Sequence, residues 1–132
     1  MSVVIDSSVV VAALVDSGPH GDWAEEVLAS GLLQAPELVR AEATNIFRRL
    51  ERAKLITTPE ANAAQDDLMQ LDIELFTFEP FASRIWQLRH NVTSYDAWYV
   101  AIAEVFELPL ATVDESLSKS NGVTCKFLTP RR

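Results

Sequence analysis

A chain of 132 residues, 48% hydrophobic and 23% charged with only four Gly and six Pro, can bury one core without disulfides or structural metal, and it is too apolar to stay disordered. A lone cysteine, Cys125, excludes an intramolecular disulfide, and two widely spaced histidines, His20 and His90, exclude the usual zinc ligand sets. The formal charge of −8 excludes a general nucleic-acid coat, which needs cations to displace phosphate counterions.

The opening stretch Val3-Val4-Ile5-Asp6-Ser7-Ser8 runs three β-branched residues into a carboxylate and two hydroxyls. It predicts a strand buried on both faces with Asp6 at its carboxyl end, followed by a helix over 9–15 that Ser7 or Ser8 caps. In open α/β sheets that edge is where ligands bind. Asp16-Ser17-Gly18-Pro19 stops the helix, and Asp22 is placed to cap a second one carrying Trp23, Val27 and Leu28. A short strand over 32–35 follows, and Pro36-Glu37 opens a helix. Val39, Ala43, Ile46, Phe47 and Leu50 make its apolar stripe, with Glu42, Asn45 and Arg49 on a neighbouring face.

Thr58-Pro59-Glu60 starts a helix to about Leu71, and 73–78 reads as a strand. Glu79-Pro80 begins a helix through Ile85, Trp86 and Leu88. Thr93-Ser94-Tyr95-Asp96 then opens the next in a capping-box pattern, and Trp98, Tyr99, Ile102, Ala103 and Phe106 give it an apolar face. The strand over 110–113 ends on Asp114 and repeats the grammar of the opening stretch; a helical turn with Leu117 and a last strand through Cys125, Phe127 and Leu128 close the chain. Strands alternating with helices imply right-handed crossovers and a mostly parallel sheet covered on both faces. Trp23, Trp86 and Trp98 lie in apolar helical patterns that predict core packing. With no apolar run beyond 9–15 and no basic leader, we expect a single domain over 1–132, cytoplasmic and without a membrane segment.

Four of the nineteen acids stand out by position: Asp6 and Asp114 end strands, Asp96 lies in a first helical turn, and Glu42 sits between Ala41 and Ala43. Each has an ordinary structural account, as a helix cap, a capping box or a solvated helix face. If they converge, they need a cation, because like charges ~4 Å apart repel by about 4 kcal/mol per pair at an effective dielectric near 20. An all-oxygen site beside the hydroxyls of Ser7 and Thr112 suits Mg²⁺ or Mn²⁺ and phosphoryl chemistry. Four acids so engaged leave fifteen against eleven Lys and Arg, and the basic residues cluster as Arg40, Arg48, Arg49, Arg52 and Lys54. Arg49 and Arg52 are the candidate RNA contacts. No Gly-rich phosphate loop and no nucleophile elbow is present.

The chain resembles the PIN-domain ribonucleases, and in particular the VapC toxins of bacterial toxin–antitoxin pairs. The resemblance rests on Val4-Ile5-Asp6-Ser7-Ser8, on Pro36-x-Leu38-Val39-x-x-Glu42-x-x-Asn45-Ile46, on Tyr95-Asp96-Ala97-Trp98-Tyr99-Val100-Ala101-Ile102-Ala103 and on Thr112-Val113-Asp114, in that order over nearly the whole length. It implies a PIN-like three-layer α/β/α sandwich with a mostly parallel central sheet, a metal-dependent endoribonuclease that hydrolyses RNA, a homodimer, and a VapB-type antitoxin. By matching position, Asp6 and Asp96 would be the principal Mg²⁺ or Mn²⁺ ligands, Asp114 would complete the site directly or through water, and Glu42 would hold or activate water. Ser7 and Thr112 would support the ligands with their hydroxyls. Ser116 follows Asp114 where some members carry another acid, which leaves the number of metals open. The competing expectations are a PIN nuclease outside a toxin–antitoxin pair and a catalytically silent binding module.

Overall fold

Strand β1 (Ser2–Ile5) holds the centre because Val3, Val4 and Ile5 have no polar side to turn to water, and all three are fully buried. The computed structural model describes residues 1–130. Around β1 lie β2 (Leu32–Pro36), β3 (Ile73–Phe76), β4 (Leu110–Ala111) and β5 (Phe127–Leu128), in the order β3-β2-β1-β4-β5 with every pair parallel. The helices among the described residues are α1 (Ser7–Val15), α2 (Pro19–Ala29), α3 (Val39–Arg52), α4 (Thr58–Gln70), α5 (Ala82–Gln87), α6 (Ser94–Phe106) and α7 (Glu115–Ser118).

The strand order fixes the layers. From β1 to β3 the chain steps outward in one direction, and after β3 it returns to the other side of β1. Right-handed crossovers then put α1 to α4 on one face and the later helices on the opposite face. The packing agrees, since α1, α2, α3 and α4 contact one another while α5 lies on α6 and α6 lies on β1, β2 and β4. The sheet is therefore the middle of three layers, as the sequence predicts. The reversal also makes the gap between β1 and β4 the topological switch point, where the carboxyl ends of two strands feed connections to opposite faces.

Several boundaries differ from expectation for local reasons. Asp6, not Ser7 or Ser8, caps α1, so the helix takes in both serines. Asp22 lies in the first turn of α2, whose cap is Gly18 with Pro19 following. A Cβ on Gly21 would stand 1.8 Å from the Asp16 carbonyl, so the tight α1–α2 turn requires glycine there. Pro36 ends β2, where it pairs with Phe76, and α3 starts only at Val39. β3 stops at Phe76, short of Phe78, and β4 at Ala111; the predicted helix at Glu79-Pro80 begins as a 3₁₀ turn over Glu79–Phe81. Trp98 packs against the core, with its ring edge-on to Phe78 at 5.4 Å. Trp86 does not: it is 67% exposed, with the Arg89 guanidinium 4.2 Å above its ring. No helix among the described residues is long and apolar enough to cross a membrane.

Candidate active site

All four singled-out acids emerge at the carboxyl edge of the sheet, each at the start of a helix. Asp6 caps α1 directly after β1, Glu42 lies in the first turn of α3, Asp96 in the first turn of α6, and Asp114 caps α7 two residues beyond Thr112. Helix N-termini favour negative charge, so each position has a local reason to be acidic. The fold adds what local reasons do not require, which is their convergence on the switch point.

Asp6 is the most buried, at 7% exposure. Its Oδ1 accepts from Ser8 Oγ at 2.5 Å and from the Val9 N–H at 3.2 Å. Burial pushes its carboxyl up to about 6, against the lowering effect of the hydrogen bonds from Ser8, Thr112 and Val9, and the charge of Asp96 pushes it further the same way. The same Ser8 hydroxyl accepts from the Val113 N–H at 3.0 Å and so stitches the start of α1 to the segment carrying Asp114. The supporting hydroxyl after Asp6 is thus that of Ser8 and not of Ser7, which no hydrogen bond among the described residues joins to Asp6. Thr112 stands where expected, fully buried, and its hydroxyl accepts from the Asp114 N–H at 3.0 Å.

Asp96 links the others. Burial raises its carboxyl above the ordinary range and the charge of Asp114 raises it further, while the Thr93 hydroxyl acts in the opposite sense. Of the expected capping box, only the bond from the Asp96 N–H to Thr93 Oγ1 is formed among the described residues, at 3.2 Å. Glu42 is likewise raised, by burial first and by the charge of Asp96, although its Oε1 accepts a 2.5 Å hydrogen bond from the phenol of Tyr99. Tyr99 is 1% exposed, and burial together with Glu42 raises its phenol as well. Asp114 Oδ1 accepts from the backbone and hydroxyl of Ser116, at 2.9 and 2.6 Å.

Tyr99 was not singled out by sequence reasoning. Its signal was present, since it follows Asp96 by three residues on α6 and therefore shares that acid's side of the helix. Arg49 and Arg52 lie exposed in the last turn of α3, on the side of Glu42, with Asn45 between. Arg40 is apart from them, its guanidinium donating to the Leu71 carbonyl at 2.7 Å.

The donor set is all oxygen, and no cationic side chain hydrogen-bonds to Asp6, Glu42, Asp96 or Asp114 among the described residues. No three carboxylates, histidines or cysteines among the described residues close on one point as a ready-made cage. The oxygen-only donor chemistry is of the kind that suits Mg²⁺ or Mn²⁺, and Mg²⁺ takes one or two carboxylates directly and keeps several waters. A cavity of about 720 Å³ lies elsewhere, between the end of α6 and the segment 124–128, and touches none of the four acids. The acid edge is the better site on chemical grounds, because perturbed carboxylates gather there.

The family model for the PIN domain matches residues 3–122. Ribonuclease VapC1 of Mycobacterium tuberculosis is 36% identical over 125 residues, covering 94% of each chain. Among solved structures, VapC20 of M. tuberculosis, a sarcin–ricin loop cleaving toxin, superposes with a TM-score of 0.66 at 17% identity over 92% of this chain and 96% of its own. VapBC-5 of the same organism, a member of the VapBC family of toxin–antitoxin systems, gives 0.56 at 22% identity over 99% and 98%.

Proposed function

Because the chain belongs to the PIN-domain family and stands among its VapC ribonucleases, we propose that it is a divalent-metal-dependent endoribonuclease, the toxin of a type II toxin–antitoxin pair. The observation that carries this reading is the gathering of Asp6, Glu42, Asp96 and Asp114 at the switch point, three of them with raised pKa values. Carboxylates held that way oppose folding unless a cation or a proton joins them.

In this reading Asp6 and Asp96 would hold Mg²⁺ or Mn²⁺, with Asp114 supporting them. When bound, the ion neutralises charge at the scissile phosphate and makes water a better nucleophile. Ser8 and the Val9 N–H keep one oxygen of Asp6 in place. Tyr99 aims Glu42, which takes the proton of the attacking water. The water oxygen forms a bond to phosphorus, the ester bond to the leaving ribose oxygen breaks, and that oxygen is protonated from solvent. Arg49 and Arg52 guide the RNA backbone toward the acids.

The same charge explains control. A guanidinium matches carboxylates two oxygens at a time, so an Arg from a VapB-type antitoxin would enter among Asp6, Asp96 and Asp114. We place the protein in a homodimer, as the family resemblance implies. The deciding experiment incubates the purified protein with RNA in Mg²⁺, in Mn²⁺ and in EDTA, beside Asp96→Asn. Cleavage confined to the metal arms and absent from the variant supports the reading; full activity in EDTA rules out the metal mechanism.

A further inference from the structure

At Glu42 the surface has a shallow, wide-open depression of about 290 Å³, lined by Leu38, Ala41, Glu42, Asn45 and Tyr95. Its volume stands at the small end of ligand pockets. Tyr95 forms one wall and is 59% exposed, although it directly precedes the half-buried Asp96. It stands on the first turn of α6, next to the acid edge. Half-buried Leu38 and exposed Ala41 add apolar lining, and Asn45 supplies an amide that both donates and accepts hydrogen bonds. No lining residue is cationic and Glu42 makes one side anionic, so the site suits an uncharged group that can donate hydrogen bonds rather than a phosphate.

Resting on the nuclease reading above, we infer that this cavity is a nucleobase subsite: it takes one unpaired base of the RNA next to the scissile phosphate, stacked on Tyr95 and read along its edge by Asn45. The geometry along α3 supports the assignment. Asn45 lies about 4.5 Å and Arg49 about 10.5 Å beyond Glu42 along the helix axis, at 1.5 Å per residue. Acid, base pocket and cation thus follow one another in a line along one helix, the order in which a single strand presents a cut phosphate, its base and the next phosphates. Stacking on an aromatic ring needs an unpaired base, so the subsite selects single-stranded or splayed-out RNA.

The test uses a pool of short single-stranded RNA oligonucleotides with Mg²⁺ or Mn²⁺. One that is cut is resynthesised with an abasic nucleotide at each position flanking the cut, and rates are compared for the wild type, Tyr95→Ala, Tyr95→Phe and Asn45→Ala. At one position, loss of the base should slow the wild type about tenfold or more, the scale of a base–aromatic stack, and should scarcely slow Tyr95→Ala. Tyr95→Phe should restore the dependence, and Asn45→Ala should level the rates among the four bases at that position. Cleavage in which no position is coupled to Tyr95 overturns the subsite alone. If the wild type cuts neither the pool nor total cellular RNA, the nuclease reading falls, and the inference with it.

Discussion

Two carboxylate regions of this molecule have opposite characters. At the carboxyl edge of the sheet, Asp6, Glu42 and Asp96 are all raised by burial, and their hydrogen bonds come from hydroxyls and backbone N–H groups. On the far part of α6, Glu104 is satisfied: Arg84 grips it through Nε at 2.7 Å and a second nitrogen at 3.1 Å, and Thr124 donates from backbone and hydroxyl at 2.9 and 2.7 Å. Burial raises Glu104 too, but the bonds from Arg84 and Thr124 outweigh it and hold the carboxyl below its ordinary range. Arg84 also reaches the Gly122 carbonyl at 2.7 Å, so the cluster clasps α5, α6 and the approach to β5. The fold has the means to neutralise an acid and uses it on Glu104 but on none of the four acids at the sheet edge. The cost left standing at the other place is the mark of a site kept for a ligand.

Catalysis should separate the regions most widely. Glu42→Gln should lower RNA cleavage by about 10²–10⁴-fold, the usual contribution of a positioned general base, with the circular dichroism spectrum unchanged. Glu104→Gln should leave cleavage near wild type. Equal loss of activity from both variants would mean that the acid edge acts only through stability.

The response to pH should have opposite signs. For Asp6 the unfolded carboxyl loses its proton near 3.8 and the folded one only near 6, so the folded state binds more protons between those values. Stability from this group is full below 3.8 and falls as pH rises through about 6. Asp6→Asn keeps the helix cap and removes the charge, so without metal it should be about 2–3 kcal/mol more stable than wild type at pH 7.5. Near pH 4 most of that advantage should vanish. Denaturant titrations at the two pH values decide it, and a variant destabilised at both would return Asp6 to a purely structural role. Glu104, with its lowered pKa, contributes stability that is present at neutral pH and lost as the solution becomes acid. Glu104→Gln should accordingly cost about 1–3 kcal/mol at pH 7.5, because hydrogen bonds to charged groups are lost and Arg84 is left without its partner.

Asp6 was legible because the β-branched run Val3-Val4-Ile5 announces where a buried strand stops, whereas Asp114, expected at a strand's end, lies three residues beyond β4. Parallel topology followed from the alternation of elements, and it alone places the strand ends at one edge. Asp96 and Glu42 were legible as members of a motif rather than from their surroundings. What could not be read was which side chains meet across elements. Tyr99 and Glu42 lie 57 positions apart and Arg84 and Glu104 20 apart, and no local propensity encodes either bond. The choice between Ser7 and Ser8 turned on whether α1 starts at Asp6 or two residues later, the kind of boundary that propensity leaves loose. Trp86 misled because its neighbours Ile85 and Leu88 are buried while its own side of the short α5 faces solvent.

The smallest expected effect concerns the exposed end of α3, which carries cations where the acid edge carries none. Arg49 and Arg52 lie in the last turn, where positive charge also offsets the helix dipole, so a purely structural account exists. The two accounts differ in what salt does. If the guanidiniums contact RNA phosphates, replacing both with Gln should weaken binding severalfold at low salt and reduce the slope of log affinity against log salt by about 1.4, at roughly 0.7 per phosphate contact on a single strand. If Mg²⁺ or Mn²⁺ raises the melting temperature by binding at the acids, that rise should be the same in the variant as in the wild type. If the residues serve only the helix end, the variant should melt slightly earlier and the salt slope should not move. An unchanged slope would separate α3 into an acid site and a solvated tail, and the RNA path would then have to leave the acids in another direction.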